Sequence, residues 1–104
     1  MTELITINEV NNDGRTIHLY FNGLVGLYAA YGISAFLLNK ISTASASYSK
    51  DMQMPVVVLN AAHYEEVKKQ LELVKDVLNY RCLRTDKPYD EAAYAEWAAA
   101  LRGR

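Results

Sequence analysis

Apolar and polar positions alternate loosely along the start of the chain, in a pattern typical of β-strands. Residues 4–10 and residues 15–21 are both rich in β-branched side chains, and Asp13-Gly14 lies between them. Glycine readily adopts the positive φ angle that a tight hairpin turn requires. The pattern therefore predicts a β-hairpin whose strands are these two stretches.

A long apolar segment follows, and it predicts a helix over residues 24–41. Its apolar side chains recur every three to four residues, which is the spacing of one helix face. Gly32 lies inside the segment and costs about 1 kcal/mol relative to alanine in a helix. It either allows a close approach between helix and strand or marks a later start of the helix. A helix this apolar is central to the core or covered by a partner. The predicted stripe consists of Leu27, Tyr31, Ser34, Leu38 and Ile41.

The middle of the chain predicts a loop and then a strand. Residues 42–53 are small and polar without any period, which indicates a mobile loop. Residues 54–60 are strongly apolar, and Pro55 stands near their start, where a strand tolerates proline. This run predicts a buried strand.

Two capped helices and a short strand complete the predicted order. Asn60 is placed to cap a helix over about residues 61–79, with Tyr64, Val67, Leu71, Val74 and Leu78 as its apolar stripe. Residues 80–84 predict a strand, residues 85–90 a turn, and Asp90 the cap of a helix over residues 91–101. The order β-β-α-β-α-β-α predicts an α+β or mixed α/β fold, with helices packed on a sheet. The length fits a single domain over residues 1–104.

Composition narrows the functional classes. Hydrophobic residues make up 51% and charged residues 22% of the chain, which is ordinary for a folded domain. The formal net charge of −1 provides no bulk positive field for a polyanion, although a local basic patch can still exist. A single cysteine, Cys82, excludes an intramolecular disulfide and indicates a reducing compartment. Without a signal-peptide pattern or an apolar run of membrane-spanning length, we expect a cytoplasmic protein without a membrane partner.

The residues that carry chemistry form no complete catalytic or metal-binding set. His18 and His63 lack metal-ligand spacing, so we expect solvated or capping histidines and neither a metal nor another cofactor. Cys82 could act as a nucleophile only with a nearby base, and a packing role is the simpler interpretation. We therefore expect a non-enzymatic protein.

Eight tyrosines invite the idea of a surface on which nucleic-acid bases stack. Tyr64 and Tyr94 lie on predicted helix stripes and fit a core role. Tyr48, in the polar loop near Lys50, is the best exposed candidate.

Two blocks of sequence resemble the N-terminal mismatch-recognition domain of the MutS family of DNA mismatch repair proteins. The first is GLYAAYGISA and the second is MPVVVLNAAHYEEVKKQL, and together the likeness spans roughly residues 17–83. The resemblance implies a sheet packed with helices and contact with double-stranded DNA. The matching positions are Tyr28, Ala30, Tyr31, Gly32 and Ala35 in the first block and Met54-Pro55 in the second.

The family's recognition pair is replaced in this chain. Its Phe-x-Glu residues fall on Leu27 and Ala29. Leucine can wedge at a base step but cannot stack as an aromatic ring, and alanine accepts no hydrogen bond. The resemblance thus implies a stand-alone relative, a DNA-binding or repair-accessory module, that keeps the scaffold without the probe. Its predicted DNA contacts are Leu27, Tyr28, Ala29, Arg15, Lys40, Tyr48 and Lys50, and Arg81 and Arg84 would extend the basic patch.

A second hypothesis is a protein–protein interaction or self-association module. The sequence pI of about 6.1 and the unusually apolar segment over residues 24–41 favour it. An exposed apolar patch of several hundred Å² would mark such a surface.

Overall fold

The chain folds into an antiparallel sheet with helices packed against it. The computed structural model describes residues 2–86 and 89–103, and within them it contains six strands and four helices. The predicted α+β class is therefore confirmed. In chain order the elements are α1 (Thr2–Val10), β1 (Thr16–Asn22), β2 (Leu27–Tyr31), α2 (Gly32–Ile41), β3 (Ala46–Ser49), β4 (Met54–Leu59), α3 (Ala61–Gln70), β5 (Glu72–Val77), β6 (Tyr80–Arg84) and α4 (Glu91–Arg102).

The strand order across the sheet is β3-β4-β2-β1-β6-β5, and every neighbouring pair is antiparallel. One face, here called the packed face, carries the core of the molecule beneath α2, α3 and α4. The opposite face, called the open face, has α1 at one end, where Asn8 donates a hydrogen bond to the hydroxyl of Tyr20 at 2.9 Å. The core includes Ile17, Leu19, Ala30, Leu38, Val57, Leu59, Val67 and Leu83, all fully buried.

The predicted hairpin at the start of the chain is half wrong. Residues 16–22 form the expected strand, but the first predicted strand is the helix α1. A helix places Ile5, Asn8 and Glu9 on one side, and the structure uses all three: Ile5 is buried, Asn8 binds Tyr20, and Glu9 binds Ser34. In a strand Asn8 and Glu9 would point to opposite faces, so these contacts select the helix.

The predicted helix over residues 24–41 is also half wrong. Its first part contains the strand β2, and the helix α2 begins at Gly32, which confirms the later start considered above. β2 lies between β1 and β4 and hydrogen-bonds to both, which stabilises the extended backbone. Gly32 has φ +57° and a Cβ there would come within 3.2 Å of Met54 Sδ, so this junction requires glycine.

Two later predictions need correction for the same reason, which is strand pairing. The predicted loop at residues 42–53 contains β3, whose Tyr48 lies opposite Pro55 of β4. The helix predicted to reach residue 79 ends at Gln70, and β5 follows it and pairs with β6. Of the predicted stripe only Tyr64 and Val67 are buried helix residues. The observed order α-β-β-α-β-β-α-β-β-α replaces β-β-α-β-α-β-α.

The strand at residues 54–59, the strand at residues 80–84 and both helix caps are confirmed. Asn60 Oδ1 accepts a hydrogen bond from the His63 N–H at 2.8 Å, and Asp90 Oδ1 accepts one from the Ala93 N–H at 3.2 Å. The predicted turn at residues 85–90 lies partly outside the described residues. None of the helices in the described ranges combines the length and apolarity needed to cross a membrane.

Replacing Asn60 by alanine is expected to lower the free energy of unfolding by about 1 kcal/mol, since it leaves the His63 N–H without its acceptor. Asn60→Asp keeps an acceptor oxygen, so its free energy of unfolding is expected to lie within roughly a few tenths of a kcal/mol of the wild-type value. Urea denaturation of the three proteins measures the difference, and an alanine variant as stable as the aspartate variant would contradict the cap.

Candidate functional site

Two hairpin turns lie side by side at one end of the sheet. Residues 23–26 connect β1 to β2, and residues 78–79 connect β5 to β6. Tyr20 lies opposite Tyr80, and the Phe21 N–H donates to the Asn79 carbonyl at 2.8 Å. This register brings both turns to what is called here the hairpin end.

Exposed aliphatic side chains gather at this end. Leu24 is 97% exposed and Leu78 is 88% exposed, and each belongs to one of the two turns. A row of paired residues crosses the open face next to them and runs from Val77 on β5 to Val58 on β4 through Tyr80, Tyr20 and Ala29. The hairpin-end surface comprises the exposed residues Leu24, Val25, Leu27, Val58, Val77 and Leu78.

This surface is also without charge in its central segments. Residues 22–31 and residues 77–80 contain no acidic or basic side chain. Of the flanking cations, Arg81 is held by Asp76 at 2.9 Å and donates to the Val77, Leu78 and Tyr80 carbonyls, and Lys75 lies opposite Cys82, two residues before Val77. These two segments of the hairpin-end surface are therefore apolar and carry no charged side chain.

The sheet edges, in contrast, are poorly suited to pairing with another strand. β3 has only four residues, of which Ser47, Tyr48 and Ser49 carry hydroxyls. β5 has a register shift between Leu73 and Lys75, and the bulge and the charged lysine both discourage edge-to-edge pairing. Neither edge strand is therefore well suited to pairing with a strand of another molecule.

The first predicted DNA contacts lie close to this surface. Leu27 and Ala29 face the open side, and Leu27 is exposed. Tyr28 points to the packed face, where its ring stacks on Tyr64 with centroids 4.2 Å apart. Leu27 thus lies on the hairpin-end surface, whereas Tyr28 belongs to an aromatic cluster beneath the sheet.

The structure does not bring the predicted basic residues to Leu27. Arg15 precedes β1, whose other end pairs with Leu27, so about 20 Å of strand separates them. Lys50 follows Ser49, which lies opposite Met54 at the end of β4 remote from the hairpins. Lys40 lies in the last turn of α2 with its ammonium 4.5 Å from the centre of the Phe36 ring.

The structure does not form a shared basic patch from the remaining candidates, which are Tyr48, Arg81 and Arg84. Tyr48 lines a cleft with Tyr94 beneath α4. Arg84 is 3.4 Å from Asp13 and, together with Arg15, lines a cleft of about 400 Å³ that also contains Glu72 and Asp86. The opposite charges in that cleft offset one another.

A buried polar cluster joins α1 to α2. Glu9 Oε1 accepts a hydrogen bond from the Ser34 N–H at 2.9 Å, and Glu9 Oε2 accepts one from the Ser34 hydroxyl at 2.5 Å. Ser34 Oγ in turn accepts from the His18 N–H at 2.9 Å. Burial raises the pKa of Glu9 to about 7 even though these donors oppose the shift.

A second cluster lies on the open face and combines a thiol, a phenol and an imidazole. His18 on β1 lies directly opposite Cys82 on β6. His18 Nδ1 is 2.5 Å from the Tyr80 hydroxyl. Burial lowers the pKa of His18, and burial together with Cys82 raises the pKa of Tyr80. The sequence alone does not reveal this cluster, because the cluster depends on the register between β1 and β6.

Among the described residues, no three His, Cys, Asp or Glu side chains come together as a set that could hold a metal ion. Comparison with protein-family models, with curated proteins and with solved structures finds no match for this chain. The MutS resemblance therefore stays a prediction, and functional proposals depend on the geometry described above.

Proposed function

We propose that this chain is a non-enzymatic self-association module whose partner is a second copy, bound through the hairpin-end surface. The observation that carries this proposal is the group of six exposed aliphatic residues at the hairpin end. Two-fold dimers place the same patch of both copies in contact. A neutral aliphatic patch is complementary to itself, because no like charges oppose each other across the axis.

The size of the surface also supports a protein partner. Six exposed Leu and Val side chains expose several hundred Å² of apolar area, which is at the upper end for the largest patch of a monomer. Together with a polar rim it approaches the roughly 800 Å² that each partner buries in a standard interface. A membrane is a poorer occupant, since interfacial binding to anionic lipid uses flanking cations and Arg81 is held by Asp76.

The double variant Leu24→Asp/Leu78→Asp is expected to abolish the dimer, raising its dissociation constant by at least about 100-fold. Both side chains are almost fully exposed in one copy, so the fold should tolerate the change, whereas a two-fold interface would bury four carboxylates. Sedimentation velocity over a range of concentrations measures the association of each protein.

Val10→Asp is the matched control. Val10 is 78% exposed on α1, outside the hairpin-end surface, and the same charge there should leave the dimer intact. A dissociation constant of about 1 mM corresponds to roughly 4 kcal/mol of binding free energy. A wild-type protein that is still monomeric at about that concentration would overturn the proposal. Equal dissociation of the control and the double variant would also overturn it.

A second candidate is the DNA-binding or repair-accessory module that the MutS resemblance implies. One observation favours it: Leu27, at the position of the family's probe, is exposed beside the exposed Leu24 and Val25, and aliphatic side chains can wedge between base steps. Fluorescence anisotropy with matched and mismatched duplexes at low salt tests it. Salt-dependent binding would support this candidate, and no binding by wild type at low salt would remove it.

A further inference from the structure

A cleft of about 570 Å³ lies on the packed face between α4 and the edge of the sheet, at the end of β4 that is remote from the hairpins. Tyr48 of β3 lies opposite Pro55 of β4, and cross-strand partners point to the same face. The side of α4 that lines the cleft carries Ala95, Ala98, Ala99 and Arg102. Because three of these four side chains are small, α4 does not close the space over Tyr48 and Pro55.

The walls of this cleft are aromatic and apolar, and they are held in place. Tyr94 lines the cleft from α4, and its ring contacts the Phe36 ring with centroids 5.6 Å apart and the Trp97 ring with centroids 6.3 Å apart. Pro55 is fully buried, and Tyr48 is partly exposed. Small-molecule sites are typically preformed apolar clefts of roughly 300–1,000 Å³ with a few polar groups. The cleft therefore has the size and the lining of such a site.

The charged groups beside these walls are cations. Arg102 lines the cleft, and both Arg102 and Tyr48 also line an adjoining cleft of about 320 Å³ that contains Lys50. Both cations are exposed, and neither forms an ion pair within the described part of the chain. No acidic side chain of the described residues lines either cleft, although Asp51 follows Lys50 in sequence. Two unpaired positive charges thus lie in clefts that share one tyrosine, and an anion is complementary to them.

We propose that this pair of adjoining clefts, here called the α4 cleft, binds a small planar aromatic acid, a ring that carries one carboxylate or phosphate group. The ring stacks on Tyr48 against the alanine side of α4, and the anionic group binds the Arg102 guanidinium, with Lys50 as the second cation. A guanidinium can donate two parallel hydrogen bonds to either anionic group. A nucleic-acid strand is a poorer occupant, because its binding uses many cations along the backbone and the described lining provides two.

Titration of the ¹⁵N-labelled full chain with indole-3-acetate, followed by heteronuclear NMR, tests this inference. Indole-3-acetamide is the neutral counterpart of nearly the same shape. The acid is expected to bind with a dissociation constant on the order of 0.1–1 mM, as suits a ligand of this size. It should bind at least about 5-fold more tightly than the amide, since only the acid forms charge-assisted hydrogen bonds. Adenosine 5′-monophosphate and adenosine repeat the comparison for a phosphate group.

Two variants separate the effect of the charge from that of the ring. Lys50→Gln/Arg102→Gln removes both cations from exposed positions, so the acid and the amide should bind to it with equal affinity. Tyr48→Ala removes the stacking surface and should weaken the binding of both compounds by about 10-fold, with the preference for the acid retained. Arg15→Gln is the matched control and should leave both affinities unchanged, because Arg15 is exposed and lines the separate cleft with Arg84.

Equal affinities of the wild-type protein for each charged probe and its neutral counterpart would overturn the inference. So would a preference for the acid that survives in Lys50→Gln/Arg102→Gln, or chemical-shift changes confined to the hairpin end. These outcomes do not depend on the proposed self-association, because the α4 cleft and the hairpin-end surface lie at opposite ends of β4. The same titration on the Leu24→Asp/Leu78→Asp background should therefore give the same dissociation constants.

Discussion

Replacing Glu9 by glutamine is expected to remove about 2 kcal/mol from the change in the free energy of unfolding between pH 5 and pH 8. The wild-type free energy of unfolding should fall by about that amount over this interval because of Glu9, whereas that of Glu9→Gln should not. Glutamine resembles the protonated acid in shape and can still accept the hydrogen bond from the Ser34 N–H.

The direction follows from where the carboxyl holds its proton. Its pKa is about 7 in the folded chain and 4.5 without the fold, because burial disfavours the charged form. Between these values the folded state binds a proton that the unfolded chain has released, so stability falls as pH rises. The contribution is fully present below pH 4.5 and is lost as pH rises through 7.

Other groups titrate in the same interval, so the difference between the two proteins is the decisive quantity. The lowered pKa of His18 makes stability rise with pH up to the ordinary histidine range, opposite in sign to Glu9. Urea denaturation at pH 5 and pH 8 measures both proteins, and Glu3→Gln on the exposed side of α1 is the matched control. Parallel pH profiles for wild type and Glu9→Gln would refute the expectation.

Local chemistry made part of this fold predictable from sequence. Asn60 and Asp90 both cap helices because a short side-chain oxygen can reach the orphan N–H groups of the first turn, and this needs no tertiary information. An apolar run bounded by polar residues likewise identified β4. Such features depend on residues within a few positions of one another.

The errors arose where an apolar run fits a helix and a strand equally well. Residues 27–31 have the small and aromatic side chains of either element, and pairing with β1 and β4 makes them a strand. β5 is extended for the same reason, through pairing with β6. A period of apolar residues cannot reveal a partner strand that lies far away in sequence.

The candidate sites were even less accessible to sequence reasoning. His18 and Cys82 are 64 positions apart, and only the register of β1 with β6 brings them together. Leu24 and Leu78 come from two hairpins whose turns share an end of the sheet for the same reason. Both the thiol cluster and the juxtaposition of the two turns therefore depend on the pairing of β1 with β6.

Replacing Gly14 by alanine is expected to lower the free energy of unfolding by about 3 kcal/mol. Gly14 has φ +82°, a conformation in which other residues are strained by roughly 1 kcal/mol or more. A Cβ at this position would lie 2.5 Å from Tyr89 Cβ and Cγ, which are the stiff base of that side chain. Overpacking of this kind typically costs a further ~1–3 kcal/mol. Tyr89 cannot move away freely, because its ring contacts the Phe36 and Tyr94 rings.

Gly26→Ala separates the two causes, because Gly26 has a similar φ of +68° but nothing within 4 Å of the added Cβ. Its free energy of unfolding should fall only by the cost of the strained backbone, about 1 kcal/mol. Urea denaturation of both variants beside wild type gives the comparison, and near-ultraviolet circular dichroism reports whether the aromatic packing around Tyr89 changes. If Gly14→Ala costs no more than Gly26→Ala, then Tyr89 does not pack over the turn before β1.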